Sequence, residues 1–155
     1  MEPGKTAPNF SLQDQSGQTH SLSDYKGKFL VIYFYPRDNT PGCTKESCAF
    51  RDHISEFTDL NCSILGVSAD SATSHEKFIA KFSLNFPLLV DEEKEMLQAY
   101  GAWGEKNNYG KKYMGIIRST VIIAPDGNIL KHWETVRGAE DHPIKVLEAL
   151  KELQA

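Results

Sequence analysis

The longest apolar run in the chain covers residues 29–35, and Pro36 follows it directly. The run contains strand-forming residues without polar alternation, which is typical of a central strand buried on both faces. Proline cannot donate to a strand ladder, so the strand should end there. Ahead of this run, residues 10–12 alternate between apolar and polar, and a Ser16-Gly17 turn separates them from residues 19–22. The earlier pattern predicts a short antiparallel hairpin.

After Pro36, helical and strand patterns alternate along the chain. Thr40-Pro41 is typical of a helix start, because proline at the first helical position loses no hydrogen bond. Thr73 and Glu76 have the spacing of a capping box for a further helix. The recurrence of Ser47, Phe50, Ile54 and Phe57 at helical spacing supports the first helix, and Phe78, Ile79 and Phe82 form one face of the second. Strands are predicted over 61–67 and 87–90, and a helix with acids in its first turn over 91–100. The last elements are a hairpin of 119–123 and 129–133 around Pro125-Asp126-Gly127 and an amphipathic helix that begins at Asp141 and Pro143.

This order of elements predicts an α/β fold, because strands that alternate with helices usually form a mainly parallel sheet. The closing antiparallel hairpin and the last helix favour a thioredoxin-like fold: a central mixed sheet flanked by helices, with the N-terminal β-hairpin. No repeat, low-complexity stretch or linker divides the 155 residues. We therefore expect a single domain over residues 1–155.

Composition and charge narrow the classes of function. The chain is 40% hydrophobic and 25% charged, as globular proteins are, and its net charge is -4. Lys and Arg form no basic stripe, so we expect no nucleic acid partner. No apolar segment approaches the roughly 20 residues that a bilayer requires, and residues 1–5 lack the apolar core of a secretory signal. We expect a cytoplasmic protein with reduced thiols and no membrane partner, or an organellar one if a transit peptide was removed.

The three cysteines, Cys43, Cys48 and Cys62, are too few for a disulfide scaffold. Cys43 falls in the first turn of the helix predicted after Thr40, where free N–H groups and the positive dipole end stabilise a thiolate more than a thiol. Gly42 allows a small substrate to approach the backbone closely. The Thr40 hydroxyl can hydrogen-bond the sulfur or the atom that it attacks. Cys43 is therefore either a nucleophile or a small buried apolar residue.

Helical geometry separates Cys43 from Cys48. At about 100° per residue, Cys43 points in the same inward direction as Phe50, whereas Cys48 lies about 140° around the helix. Their Cα atoms would be about 8–9 Å apart, and a disulfide requires about 7 Å or less, so the helix must unwind before they can bond. The same geometry prevents Cys43, Cys48 and His53 from converging on one ion, and we expect no metal site.

Residues 35–48 resemble the active-site segment of the peroxiredoxins, in particular of the peroxiredoxin Q group, also called bacterioferritin-comigratory proteins. Pro36, Thr40 and Cys43 fill the family pattern Pro-x-x-x-Thr-x-x-Cys. Weaker matches follow in the expected order, at residues 86–89, 99–104 and 118–120. The resemblance extends from the first hairpin to the last helix.

The resemblance implies a thiol-dependent peroxidase that reduces hydrogen peroxide and organic hydroperoxides without a cofactor. Cys43 would be the peroxidatic cysteine, and Cys48 the resolving cysteine of an intramolecular disulfide that thioredoxin or a similar dithiol protein reduces. By the same resemblance, the Thr40 hydroxyl would be the partner of thiolate and peroxide, and Pro36 would shield the pocket from water. Arg118 would be the active-site arginine, and Glu46 the acid that orients it. Substrate would then contact Thr40, Gly42, Cys43 and Arg118. We expect the protein to be a monomer or a weak homodimer.

Two other classes of protein use similar residues. A thioredoxin-type disulfide oxidoreductase has a C-x-x-C motif, whereas Cys43 and Cys48 are spaced C-x₄-C. A redox sensor or chaperone whose helix opens on oxidation would use the same two cysteines, so the sequence leaves that alternative open. Cys62 begins a predicted strand, where we expect a buried structural thiol.

Overall fold

The apolar run at 29–35 forms the central strand of a five-stranded sheet in the computed structural model, which describes residues 2–155. In chain order, the elements are β1 (Ser11–Gln13), β2 (Thr19–Ser21), a 3-10 helix (Leu22–Tyr25), β3 (Phe29–Phe34), α1 (Pro41–Asp52), α2 (Ile54–Asp59), β4 (Cys62–Ser68), α3 (Ala72–Phe82), β5 (Leu88–Val90), α4 (Glu95–Ala99), β6 (Trp103–Asn108), β7 (Lys111–Ile116), β8 (Ser119–Ile123), β9 (Ile129–Trp133) and α5 (His142–Gln154).

The central sheet is mixed, as predicted, and has the strand order β5-β4-β3-β8-β9. β3 pairs in parallel with β4 and antiparallel with β8, and the strands β1 and β2 form the N-terminal hairpin. The prediction of a thioredoxin-like α/β fold with this hairpin is confirmed. Within residues 2–155, no helix is both long and apolar enough to cross a membrane.

Alternate residues of β3 enter two apolar layers, one on each face of the sheet. Leu30, Ile32 and Phe34 pack into one layer, and Val31 and Tyr33 into the other. The second layer also contains apolar side chains from α1, α2, α3 and α5, among them Cys43, Phe50, Phe57, Phe78 and Val146. The burial of β3 on both faces explains why its sequence lacks polar alternation.

The helical spacing from Ser47 to Phe57 does not correspond to one continuous helix. α1 ends at Asp52, and the backbone of His53 leaves the helical region, with φ of -110° and ψ of 11°. α2 then begins at Ile54, and Phe50 and Phe57 still share one apolar layer. A periodic pattern therefore persists across the break between α1 and α2.

Two other local predictions were wrong. The cap of α3 is Ser71, whose hydroxyl accepts from the Ser74 N–H (3.2 Å), so Thr73 and Glu76 lie inside the helix and form no capping box. The segment 91–100 is helical only over Glu95–Ala99, because Lys94 adopts a left-handed conformation with φ of 61°. The buried Asp91 instead accepts from the Leu97 N–H (2.8 Å) ahead of α4.

The hairpin formed by β6 and β7 was not predicted from the sequence. Its strands are largely exposed and polar, and Tyr109 and Gly110 turn the chain with positive φ angles. Polar strands lack the alternation that identifies a half-buried strand. The hairpin leads directly into Ile117 and Arg118, the two residues that precede β8.

Candidate active site

Three of the predicted site residues, Cys43, Glu46 and Arg118, meet beyond the carboxyl end of β3. The chain leaves β3 through a loop over residues 35–40 and enters α1, with Thr40 as the extended residue before the first turn. Because β8 runs antiparallel to β3, its first residue, Ser119, pairs with Phe34 at the end of β3. Arg118 immediately precedes Ser119, so the register of these two strands brings it beside the start of α1.

Cys43 is almost completely buried, with 1% of its surface exposed, in the first turn of α1. Arg118 Nη2 donates to Cys43 Sγ at 3.1 Å. A Cβ atom at Gly42 would lie 3.2 Å from the same Nη2 atom, which is tighter than ordinary contact. The glycine therefore leaves the room that the guanidinium occupies. A guanidinium at hydrogen-bond distance stabilises the thiolate form of a cysteine.

Glu46 holds Arg118 from the next turn of α1. Arg118 Nη1 donates to Glu46 Oε1 at 2.7 Å, and Glu46 is completely buried. The second carboxyl oxygen, Oε2, is buried without a hydrogen-bond partner. Burial raises the pKa of Glu46 to about 7 against the opposing effect of Arg118. Burial opposes the charge of Arg118 as well, but Glu46 and Cys43 raise the pKa of Arg118 above its ordinary value.

We expect replacement of Glu46 by glutamine to change how stability depends on pH. The carboxyl group ionises near its ordinary value of 4.5 in the unfolded chain but only near 7 in the fold. Between these values the folded protein retains a proton that the unfolded chain has lost, so wild-type stability falls as pH rises. Glu46→Gln lacks this contribution, which amounts to on the order of 3 kcal/mol.

Urea unfolding of both proteins at pH 5 and pH 8 measures this difference. Relative to wild type, Glu46→Gln should be more stable at pH 8 than at pH 5. An equal difference at both pH values would mean that Glu46 has the same charge in the folded and unfolded states across this range.

Thr40 and Pro36 belong to the loop that leads from β3 into α1. Thr40 Oγ1 donates to the Arg37 carbonyl oxygen (2.9 Å), and the Thr40 carbonyl accepts from the Thr44 N–H (2.8 Å) at the start of α1. The hydroxyl proton is therefore engaged by the loop rather than by the Cys43 sulfur. Pro36 is partly buried directly after Tyr35.

The three cysteines are free thiols in separate environments. Cys48 is partly exposed on α1, which is continuous from Pro41 to Asp52 and so keeps the helical separation between Cys48 and Cys43. Cys62 begins β4 opposite Phe29, at the other end of the sheet, and is 5% exposed. Burial raises the pKa of the Cys62 thiol to about 12, which is the environment of a structural thiol.

Sequence reasoning missed a polar network behind the loop. Asp38, Asp70 and His75 place ligand-type atoms within 4.8 Å of one another. These atoms already have hydrogen-bond partners: His75 Nδ1 lies 2.7 Å from Asp38 Oδ2, and Asp70 Oδ2 accepts from the Asp38 N–H (2.9 Å) and the Ser68 hydroxyl (2.7 Å). We therefore assign the cluster to hydrogen bonding. No spacing in the sequence indicates that His75 meets Asp38.

A buried cysteine in the first turn of a helix, with an arginine at hydrogen-bond distance on a thioredoxin-like fold, defines a thiol-based redox enzyme. The sequence matches the AhpC/TSA family over residues 3–132, and the chain belongs to this family. It is 47% identical to peroxiredoxin Bcp of Bacillus subtilis, over 99% of this chain and 97% of that protein. It is 39% identical to peroxiredoxin Bcp of Escherichia coli strain K12, over 98% and 97% of the two chains.

Solved structures of similar proteins lead to the same family assignment. The Xanthomonas campestris bacterioferritin comigratory protein, studied for alkyl peroxide reduction, superposes with a TM-score of 0.92 at 37% identity, over 99% of this chain and all of that one. A cysteine-to-serine mutant of Xylella fastidiosa PrxQ superposes with a TM-score of 0.94 at 36% identity, over 100% and 98% of the two chains. The resemblance to the peroxiredoxin Q group is confirmed, and the chain is a thiol-dependent peroxidase.

Proposed function

We propose that Cys43 is the peroxidatic cysteine and that the substrates are hydrogen peroxide and organic hydroperoxides. The observation that carries this proposal is the 3.1 Å contact of Arg118 Nη2 with the buried Cys43 sulfur. The thiolate attacks the nearer peroxide oxygen, so an S–O bond forms and the O–O bond breaks. The leaving oxygen takes up a proton and departs as water or an alcohol, and Cys43 becomes a sulfenic acid.

The neighbouring residues act on the charge that develops on the leaving oxygen. Arg118 stabilises it as a fixed cation in a nearly dry pocket, where such interactions are strong. Glu46 orients Arg118. With its proton donated to the Arg37 carbonyl oxygen, the Thr40 hydroxyl acts as an acceptor for a hydrogen bond from the peroxide. Gly42 leaves space for the guanidinium and the substrate, and Pro36 shields the pocket from water.

We assign the resolving step to Cys48. Its thiolate attacks the Cys43 sulfenic sulfur, an S–S bond forms, and hydroxide leaves and is protonated to water. The first turns of α1 must unwind beforehand, which breaks several backbone hydrogen bonds worth about 0.5–1.5 kcal/mol each. Glu46 lies between the two cysteines, so unwinding also moves the carboxylate that holds Arg118. Thioredoxin or a similar dithiol protein then reduces the disulfide.

A coupled assay tests the peroxidase cycle. Thioredoxin, its reductase and NADPH are combined with the protein and either hydrogen peroxide or an organic hydroperoxide. We expect NADPH oxidation that depends on both the protein and the peroxide. Rapid insulin reduction without peroxide turnover would instead favour a disulfide oxidoreductase.

We expect Cys48→Ser to complete one turnover and then stop. One equivalent of peroxide should leave wild type with a Cys43–Cys48 disulfide, which mass spectrometry of peptides detects. The variant should accumulate a Cys43 sulfenic acid that dimedone traps, because no second thiol reaches it. Cys62→Ser is the matched control and should form the disulfide as wild type does. Sustained turnover of Cys48→Ser with thioredoxin would contradict the assignment of the resolving residue.

The same cycle suggests the setting in which the protein works. A disulfide that must be reduced after each turnover fits a compartment with a dithiol reductant, and we propose the cytoplasm. We also propose that the chain is one domain that acts as a monomer or weak homodimer. Its net charge of -4 argues against a nucleic acid partner.

A further inference from the structure

The loop before Cys43 is held by a buried carboxylate that the mechanism above does not use. Asp38 accepts hydrogen bonds from Tyr35 Oη (2.5 Å) and from Ser74 Oγ (2.8 Å), and its Oδ2 atom lies 2.7 Å from His75 Nδ1. Its own N–H donates to Asp70 Oδ2 (2.9 Å). Both Asp38 and His75 are buried. The middle of the loop is therefore fixed to α3 and to the residues after β4.

Both ring nitrogens of His75 are engaged in this network. His75 Nε2 lies 2.9 Å from the Leu89 carbonyl oxygen, which can only accept, so Nε2 carries a hydrogen. His75 Nδ1 lies 2.7 Å from Asp38 Oδ2, and both side chains are buried. Loss of either partner leaves a buried polar group of the other without its hydrogen bond, which is costly.

The position of Asp38 determines how the chain enters α1. Asn39 follows it in the left-handed conformation, with φ of 60°, and Thr40 then precedes the first turn of α1. A displacement of Asp38 therefore moves Thr40 and the backbone that leads to Cys43. Reaction rates are sensitive to such displacements, because a shift of about 1 Å in a reacting geometry can cost about 100-fold.

We propose that His75 and Asp38 are positioning residues for peroxide reduction. The 2.7 Å hydrogen bond between them fixes the loop over residues 36–40 in the conformation that forms the peroxide pocket. The pair thereby sets the rate at which Cys43 is oxidised. It does not assist the later attack by Cys48, which takes place after the helix has unwound. This proposal rests on the proposed role of Cys43.

A second buried pair provides the matched control. His20 Nε2 lies 2.7 Å from Asp14 Oδ2 in the N-terminal hairpin, and both residues are buried. The His75→Asn and His20→Asn variants each break one buried histidine–aspartate contact of equal length. Only the first contact adjoins the loop before Cys43.

The experiment measures three quantities for wild type and both variants: the melting temperature, the second-order rate of Cys43 oxidation by hydrogen peroxide, and the rate of disulfide formation that follows. His75→Asn should slow oxidation about 10- to 100-fold without slowing disulfide formation. His20→Asn should change oxidation less than about twofold, although it also lowers the melting temperature.

Wild-type oxidation rates in His75→Asn would overturn the proposal. Equal slowing in both histidine variants would also overturn it, because lost stability would then explain the effect. A wild-type protein whose Cys43 stays unoxidised would overturn the proposed function itself, and this outcome is distinct from the other two.

A milder pair of variants decides the question if His75→Asn does not fold. Ser74→Ala removes one hydroxyl donor from Asp38, and Ser16→Ala removes one from Asp14, where the bond is 2.7 Å. Ser74→Ala should slow oxidation about threefold or more, while Ser16→Ala should not slow it. Equal rates in these two variants would overturn the proposal.

Discussion

Replacement of Cys43 by serine is expected to reduce peroxide consumption at least about 1000-fold. A serine hydroxyl does not ionise near neutral pH and cannot form the sulfenic acid on which the cycle depends. The fold should survive, because serine is close to cysteine in size and Gly42 still leaves room for Arg118. The thioredoxin-coupled assay measures the loss of rate, and thermal unfolding measures the change in stability.

Cys62→Ser is the control for this result. Cys62 is buried and lies at the opposite end of the sheet from Cys43, so its replacement should affect packing but not peroxide chemistry. Peroxide consumption by this variant should remain within about twofold of wild type. Substantial activity in Cys43→Ser would contradict both the role of Cys43 and the mechanism built on it.

Replacement of Arg118 by alanine is expected to have the second largest effect. The guanidinium donates both to the Cys43 sulfur and to Glu46, so its loss removes a cation that contacts the reacting sulfur. Removal of one such donor typically costs about 100- to 1000-fold in rate. We expect a loss of this size in the rate of Cys43 oxidation, measured by competition against a second peroxidase of known rate. Glu46 would retain a buried carboxyl without a partner, which favours its protonated form.

Arg51→Ala is a matched control for Arg118→Ala. Arg51 also lies partly buried, near the end of α1, where it donates to the Phe82 carbonyl oxygen and to Asp52. None of these hydrogen bonds involves Cys43, so the rate of Cys43 oxidation in Arg51→Ala should remain within about twofold of wild type. Equal losses in the two arginine variants would show that α1 stability, rather than charge at the sulfur, controls the reaction.

Local patterns in the sequence determined much of the sheet and the position of the nucleophile. β3 could be predicted because a strand buried on both faces requires an unbroken apolar run. Cys43 could be placed in the first turn of a helix because Pro41 favours that position. Its inward direction relative to Cys48 follows from the 3.6-residue helical period. These features depend on residues that are close together in the chain.

Two features of the fold were predicted wrongly or missed because the local sequence does not distinguish them. The capping box predicted at Thr73 and Glu76 is wrong because the extended backbone of Ser71 starts α3 at Ala72, which places Thr73 inside the helix. The hairpin of β6 and β7 is stabilised by pairing between exposed polar strands, which leaves no apolar period in the sequence.

The sequence by itself determined that Cys43 and Cys48 lie apart on one helix, and which residue types are available for chemistry. Only the tertiary structure brought Arg118 to Cys43 across 75 positions and His75 to Asp38 across 37. The antiparallel register of β3 and β8 makes the first contact, and the packing of α3 beside the loop makes the second. Contacts of this kind depend on how distant segments pair and pack, and no short-range pattern of residues encodes that geometry.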